Sequence, residues 1–102
     1  MAKLDNTNRL LIPKNLLDLT TTDFSKEVRA YLRGREIFLD NPSEKLRRCC
    51  CLGVIKIDPK RRFFVSPHIR SALNITKDTN IVFFVCNNQI TFRKICFIPE
   101  NR

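Results

Sequence analysis

Lys56, Lys60, Arg61, Arg62 and Arg70 fall within fifteen residues of one another, with Asp58 the one acidic side chain among them. Cations at that density can neutralise phosphates, and a guanidinium fork can also hydrogen-bond the edge of a guanine in the major groove. The stretch Asp58-Pro59-Lys60-Arg61 reads as an Asx- and Pro-led turn. Its tip can present Lys60 and Arg61 without burying charge. The competing reading is that these charges only solubilise a β-protein and guard its strand edges, a common use of lysine. For Arg62 a structural role competes as well, because Asp58 can pair with it across the turn. The same alternative stands for Arg9 with Asp5.

The whole chain supports the polyanion reading. Its 102 residues carry 19 Lys and Arg against 10 Asp and Glu, a net charge of +9 with a pI near 9.8. Such a balance favours a nucleic-acid partner. Residues 1–48 hold ten basic and seven acidic side chains (+3), and residues 49–102 hold nine and three (+6). The second half is expected to dominate any phosphate contact.

Other chemistries find little footing. There is neither a G-x-x-x-x-G-K-[ST] nor a G-x-G-x-x-G sequence, only two glycines occur, and no nucleophile context marks a Ser/His/Asp set. No catalytic residues and no cofactor are assigned, and an enzyme is not expected. Five cysteines, three of them consecutive at Cys49, Cys50 and Cys51, form no C-x-x-C pair and no disulfide framework. No metal site is expected, and free thiols in a reducing cytosol are. Arg47 and Arg48 would favour thiolate at the triplet, leaving a redox role open. Cys86 and Cys96 read as small core residues. His68, the single histidine, reads as a residue capping or flanking a short helix. No apolar run approaches a membrane span, and the start MAKLDNTNR lacks the apolar segment of a signal peptide.

The elements that must position the cations come in two copies. Displaced by 53 residues, the segment Leu4 to Leu39 falls without a gap on Ile57 to Phe92. Asp5 meets Asp58, Arg9 meets Arg62, and Leu10-Leu11-Ile12 meets Phe63-Phe64-Val65. Each unit is near the length below which a chain rarely encloses its own core, so the two are expected to share one. The expected division is a single domain 1–102, with units at 1–40 and 53–95, a helical linker at 41–52 and a tail at 96–102.

Within each unit the order is the same. A lead strand (near Lys3 and Leu4, or Gly53 to Ile57) enters the polar turn, and a strand follows, Arg9 to Ile12 or Arg62 to Val65. Pro13 or Pro67 then opens a short helix ending near Leu19 or Leu73. A hairpin closes the unit, with strands Val28 to Leu32 or Ile81 to Val85 and tight turns at Arg33-Gly34 or Asn87-Asn88. The run IVFFV predicts a strand buried on both faces or held in a subunit contact. In the linker, Asn41, Pro42 and Glu44 are placed to cap a helix running through Arg48. The sequence reads the same whether the units pair within one chain or between chains. A homo-oligomer is expected, to cover strand edges and apolar runs.

Two motifs, Asp5-Asn6-Thr7-Asn8-Arg9-Leu10-Leu11-Ile12-Pro13 and Asp58-Pro59-Lys60-Arg61-Arg62-Phe63-Phe64-Val65-Ser66-Pro67-His68-Ile69-Arg70, resemble the swapped-hairpin DNA-binding fold of the AbrB, MazE and SpoVT family. Two tandem copies resemble the arrangement in MraZ, over roughly four fifths of the chain. The resemblance implies a mainly β chain with short helices, folded as a double-split β-barrel whose units exchange hairpins. It implies a transcriptional regulator on double-stranded DNA, cytoplasmic and nucleoid-associated, with Arg9 and Arg62 ending the D-x-x-x-R turns, Arg70 following the helix leucine position, and Lys56 near another basic position. The chain departs from the family at Leu17 and Asp18, where basic residues are usual, and at Asn8 and Arg61, where the family has glycine. Two identical DNA-reading faces are therefore not expected. The alternatives are a protein-interaction or assembly module that keeps the barrel, and an antitoxin-like protein with a protein partner. The latter usually needs a longer tail than Cys96 to Arg102.

Overall fold

The computed structural model describes residues 2–95. In chain order these form β1 (Arg9–Leu11), α1 (Lys14–Leu17), β2 (Val28–Arg33), β3 (Glu36–Asp40), a 3-10 turn (Glu44–Leu46), β4 (Cys50–Ile55), β5 (Arg62–Phe64), α2 (Pro67–Leu73), β6 (Ile81–Cys86) and β7 (Gln89–Lys94). The chain is mainly β, in two antiparallel sheets. One has five strands in the order β4-β2-β3-β7-β6, and the other pairs β1 with β5.

The repeat predicts a two-fold relation, and the strand registers carry it. In the small sheet Leu10 faces Phe63, flanked by Arg9 opposite Phe64 and Leu11 opposite Arg62. In the large sheet Phe38 faces Thr91, flanked by Ile37 opposite Phe92 and Leu39 opposite Ile90. Each central pair is one position of the repeat meeting its own equivalent, so a pseudo-two-fold axis runs through both sheets. Val28 pairs with Ile55, while Ala2 bridges Ile81, the equivalent contact of the other copy. Each copy's lead segment therefore pairs with the other copy's hairpin, within one chain.

The sheets do not close into the expected barrel. Closure needs a continuous ladder between the short ribbon and the edges of the large sheet, and only isolated bridges stand there, Ala2 to Ile81 and Ile57 to Phe63. Pro13, two residues past β1, and Pro67, which opens α2 three residues past β5, cannot donate to a ladder and mark where the chain leaves the ribbon. The lead segments also differ from expectation. The first is a single bridge at Ala2, whereas β4 starts at Cys50, inside the expected linker. Its ladder with β2 skips Leu52 in a bulge beside Gly53, whose φ of 132° suits glycine.

The core is one cluster drawn from both copies, with Leu10, Ile12, Ile37, Leu39, Phe63, Val65, Ile81, Ile90 and Phe92 fully enclosed. Phe92 sits at its centre, its ring 5.8 Å from Phe63 and 5.4 Å from Phe83. On the other face of the large sheet Tyr31 stacks on Phe38 at 5.2 Å, and the Arg33 guanidinium lies 4.4 Å from the Phe38 ring. The IVFFV run is not buried on both faces. As edge strand β6 it encloses Ile81 alone and leaves Val82 to Cys86 half-buried. Cys86 alternates onto the face away from the core, and Cys96 and the tail lie outside the described residues.

The two helices differ because their caps differ. Ser66 accepts the Ile69 N–H at 3.3 Å, Pro67 occupies the first turn, and Asn74 ends α2 in a left-handed conformation, φ 53°. In α1 Pro13 holds the cap position without a side-chain bond, and the helix stops at Leu17, short of Leu19. The first hairpin turn centres on Gly34-Arg35, with Gly34 at φ 64°, one residue later than expected. The second uses Asn87 and Asn88, both left-handed. Asn41 does not cap a linker helix. Its amide accepts from Asp23 N–H and donates to the Asp23 and Glu27 carbonyls, each at 2.8 Å, tying the segment before β2 to the end of β3. In the linker a 3-10 turn forms instead, headed by Ser43.

Truncating Phe92 to Ala removes the ring on which both copies meet and is expected to cost about 3–5 kcal/mol. Urea unfolding followed by far-UV circular dichroism measures it; a loss under 1 kcal/mol would mean that the two copies do not share this core.

Candidate nucleic-acid interface

Both polar turns are built by an aspartate whose Oδ1 gathers backbone N–H groups. Asp58 accepts from Lys60 and Arg62, each at 2.9 Å. Asp5 accepts from Thr7 at 2.8 Å and Arg9 at 2.9 Å. Each turn then passes through a left-handed residue, Asn8 at φ 61° and Arg61 at φ 66°. That conformation aims the carbonyl at the other copy: Asn8 O accepts from Val65 N–H at 2.8 Å, and Arg61 O from Ile12 N–H at 2.9 Å. These bonds extend the β1–β5 ribbon at both ends. Asn tolerates the conformation, while a residue such as Arg61 is held there at a cost of roughly 1–2 kcal/mol. Part of that is offset by the Arg61 Nε–H bond to the Ile12 carbonyl, 3.2 Å.

The charge arrangement breaks the two-fold relation. Asp58 Oδ2 takes Arg62 Nε at 3.0 Å and also reaches across the ribbon to Arg9 Nη1 at 3.5 Å. Asp5 makes no ion pair with Arg9 among the described residues, so the alternative of a pair closed within the first turn is not realised. Its second partner is the Thr7 hydroxyl, which donates to Asp5 Oδ1 at 2.8 Å. Asp58 is held below the usual aspartate range, first by the Arg62 backbone N–H and further by the Arg62 side chain and the Lys60 N–H. Asp5 is lowered foremost by the Arg9 backbone N–H.

Strand alternation sends Leu10 and Phe63 into the core and leaves Arg9, Leu11, Arg62 and Phe64 on the outer face. The guanidinium of Arg70, from α2, lies 5.8 Å from the Phe64 ring and donates to the Val65 carbonyl at 2.8 Å. Lys56 lines a cleft of about 430 Å³ with Phe64, Ser66, His68 and Ile69. Lys60 stands exposed at the turn tip. The structure thus groups Arg9, Lys60, Arg61 and Arg62 on the ribbon and its turns, with Lys56 and Arg70 flanking through Phe64. Arg61 and Arg70 are half-buried and each spends a donor on a backbone carbonyl, so they are less free than the turn motif suggests. On the first copy Leu17 stands where the second has Arg70. The sequence reasoning passed over Leu11 and Phe64, which the period of two in the strands already places beside the arginines.

Among the described residues no helix is long and apolar enough to cross a membrane, and no three His, Cys, Asp or Glu side chains are grouped to hold a metal ion. Cys49, Cys50, Cys51 and Cys86 are free thiols.

A carboxyl depressed in the folded state favours folding above its unfolded value, and that contribution is lost as pH falls through the folded value. For Asp5 and Asp58 the loss lies below their ordinary 3.8. Asp58→Asn keeps an Oδ1 acceptor for the turn and removes the charge facing both arginines. Its urea midpoint is expected below wild type at pH 7, with the gap closing as pH falls under 3.8; a gap unchanged down to pH 2.5 would contradict the ion-pair role. Comparison of the chain with family models, curated proteins and solved structures finds no match.

Proposed function

We propose that the protein is a DNA-binding transcriptional regulator of the AbrB/MraZ-like type, acting on double-stranded DNA where the chromosome lies. The observation that carries this reading is the β1–β5 ribbon. A two-stranded ribbon fits the major groove, and this one turns Arg9 and Arg62 outward at equivalent positions of a two-fold relation that duplex DNA shares. Lys60 at the turn tip and Lys56 beside the ribbon add phosphate-directed charge, in keeping with the net +9. The exchange of lead segments between the copies also fits a swapped-hairpin ancestry, although the sheets here stay open.

A second reading, an assembly module that has kept the fold, is favoured by Val54, 54% exposed on edge strand β4, and by the half-buried apolar residues of β6. The two readings are compatible in a homo-oligomer that covers those edges and leaves the ribbon free. Sedimentation only as a monomer at micromolar concentration would remove the oligomer.

Selection of bound duplexes from random sequence, followed by fluorescence anisotropy at two salt concentrations, tests the regulator. Specific binding is expected about a thousandfold or more tighter than to scrambled duplex. Arg62→Ala and Arg70→Ala are expected to weaken binding more than Arg9→Ala, because the second copy carries the denser charge. Each lost phosphate contact lowers the slope of log K against log salt by about 0.9. Equal losses from all three variants would contradict the asymmetry, and weak salt-erased binding to every duplex would leave the assembly reading.

A further inference from the structure

The ribbon exposes two large apolar side chains at equivalent positions, Leu11 at 48% and Phe64 at 52%, while their strand neighbours Leu10 and Phe63 are enclosed. Each faces an arginine across the ribbon: Phe64 is paired with Arg9, and Leu11 with Arg62. The outer face is thus a two-by-two lattice with arginines on one diagonal and apolar groups on the other. Each apolar group borders a cleft that also holds a lysine, Lys3 beside Leu11 and Lys56 beside Phe64. Apolar side chains ringed by cations suit a partner that offers small apolar groups within a polyanion.

Resting on the DNA reading above, we infer that Leu11 and Phe64 contact thymine methyl groups in the major groove, alongside guanines taken by Arg9 and Arg62. In the major groove the thymine C5-methyl is the apolar feature of the base edges, and guanine O6 and N7 are the matching acceptors for an arginine fork. Residues two apart on one strand lie about 6.8 Å apart. That is about two base-pair rises of 3.4 Å, so a ribbon lying along the groove meets a guanine and a thymine two steps apart on each strand. Asp58 holds Arg62 by Nε, and the terminal nitrogens of Arg62 make no hydrogen bond among the described residues, while Arg9 gives Nη1 to the same carboxylate and keeps Nη2 and Nε. The Arg70 guanidinium stands over the Phe64 ring, 5.8 Å from its centroid. The two halves of the site are unequal, since Phe64 covers more than Leu11 and has Arg70 beside it.

The test uses the full chain and the duplex it selects from random sequence, with each thymine replaced in turn by uracil, which deletes only the methyl. The expected result is a Kd raised about fourfold at two positions, the worth of one methyl-sized group taken from water. Phe64→Ala is expected to abolish the penalty at one position and Leu11→Ala at the other, with the salt slope unchanged. Phe64→Leu keeps an apolar group and is expected to retain part of the penalty. Thermal midpoints check that these outward substitutions leave the fold intact. Uracil tolerated at every position, or penalties that persist in both alanine variants, would overturn the inference while leaving DNA binding standing. Recovery of no duplex would overturn the DNA reading itself.

Discussion

Everything in this molecule hangs on the three-residue ribbon where its two halves meet. Leu10 and Phe63 face each other across the pseudo-two-fold axis, and the ribbon is closed at both ends by bonds from Ile12 N–H to Arg61 O and from Val65 N–H to Asn8 O. Those bonds exist because each turn passes through a left-handed residue, and that conformation is held by an aspartate gathering the N–H groups around it. Turn chemistry, ribbon pairing and the packing of Phe63 against Phe92 are consequently one cooperative unit. Loss of any one leaves backbone donors or a large ring without partners.

The same constraint makes the two copies unequal. The backbone bonds of the ribbon and its turns obey the two-fold relation closely, whereas the side chains do not. Asp58 takes both Arg62 and Arg9, while Asp5 serves only its own turn and Thr7. A well-capped α2 carries Arg70, and an uncapped α1 stops at Leu17. Exposed ion pairs of this sort contribute little to stability. For Arg62 the contact is made through Nε and leaves both terminal nitrogens for other partners, whereas Arg9 spends Nη1 on the same carboxylate. Charge thus concentrates on the second copy while the ribbon backbone keeps the two-fold relation.

Much of the architecture was legible in the residues. The 53-residue repeat, the D-x-x-x-R turns, the hairpin at Asn87-Asn88 and the helix start at Pro67 are patterns in the residues, and the structure realises them as read. Other details were settled away from the local pattern. IVFFV has the composition of a strand buried on both faces or held in a subunit contact, and it lies at an edge of the large sheet, where within the chain only Ile81 is fully covered. Asn41 has the type of a helix cap, yet the Asp23 and Glu27 backbone groups lie within its reach and satisfy it better. Asp5 has the spacing to pair with Arg9, but strand pairing swings Arg9 towards Asp58 of the other copy.

By itself the sequence determined the repeat, the two aspartate-led turns, the order of strand, short helix and hairpin within each copy and the concentration of positive charge in the second. These follow from hydrogen-bonding and steric preferences acting over a few residues. Only the tertiary structure decided that the copies pair within one chain, that Asp58 rather than Asp5 meets Arg9, that the sheets stay open, and that Leu11 and Phe64 stand beside the arginines on one outward face. Those outcomes depend on which distant strands share a register, and a register between strands some fifty residues apart is set by the packing of the joint core around Phe63, Phe83 and Phe92.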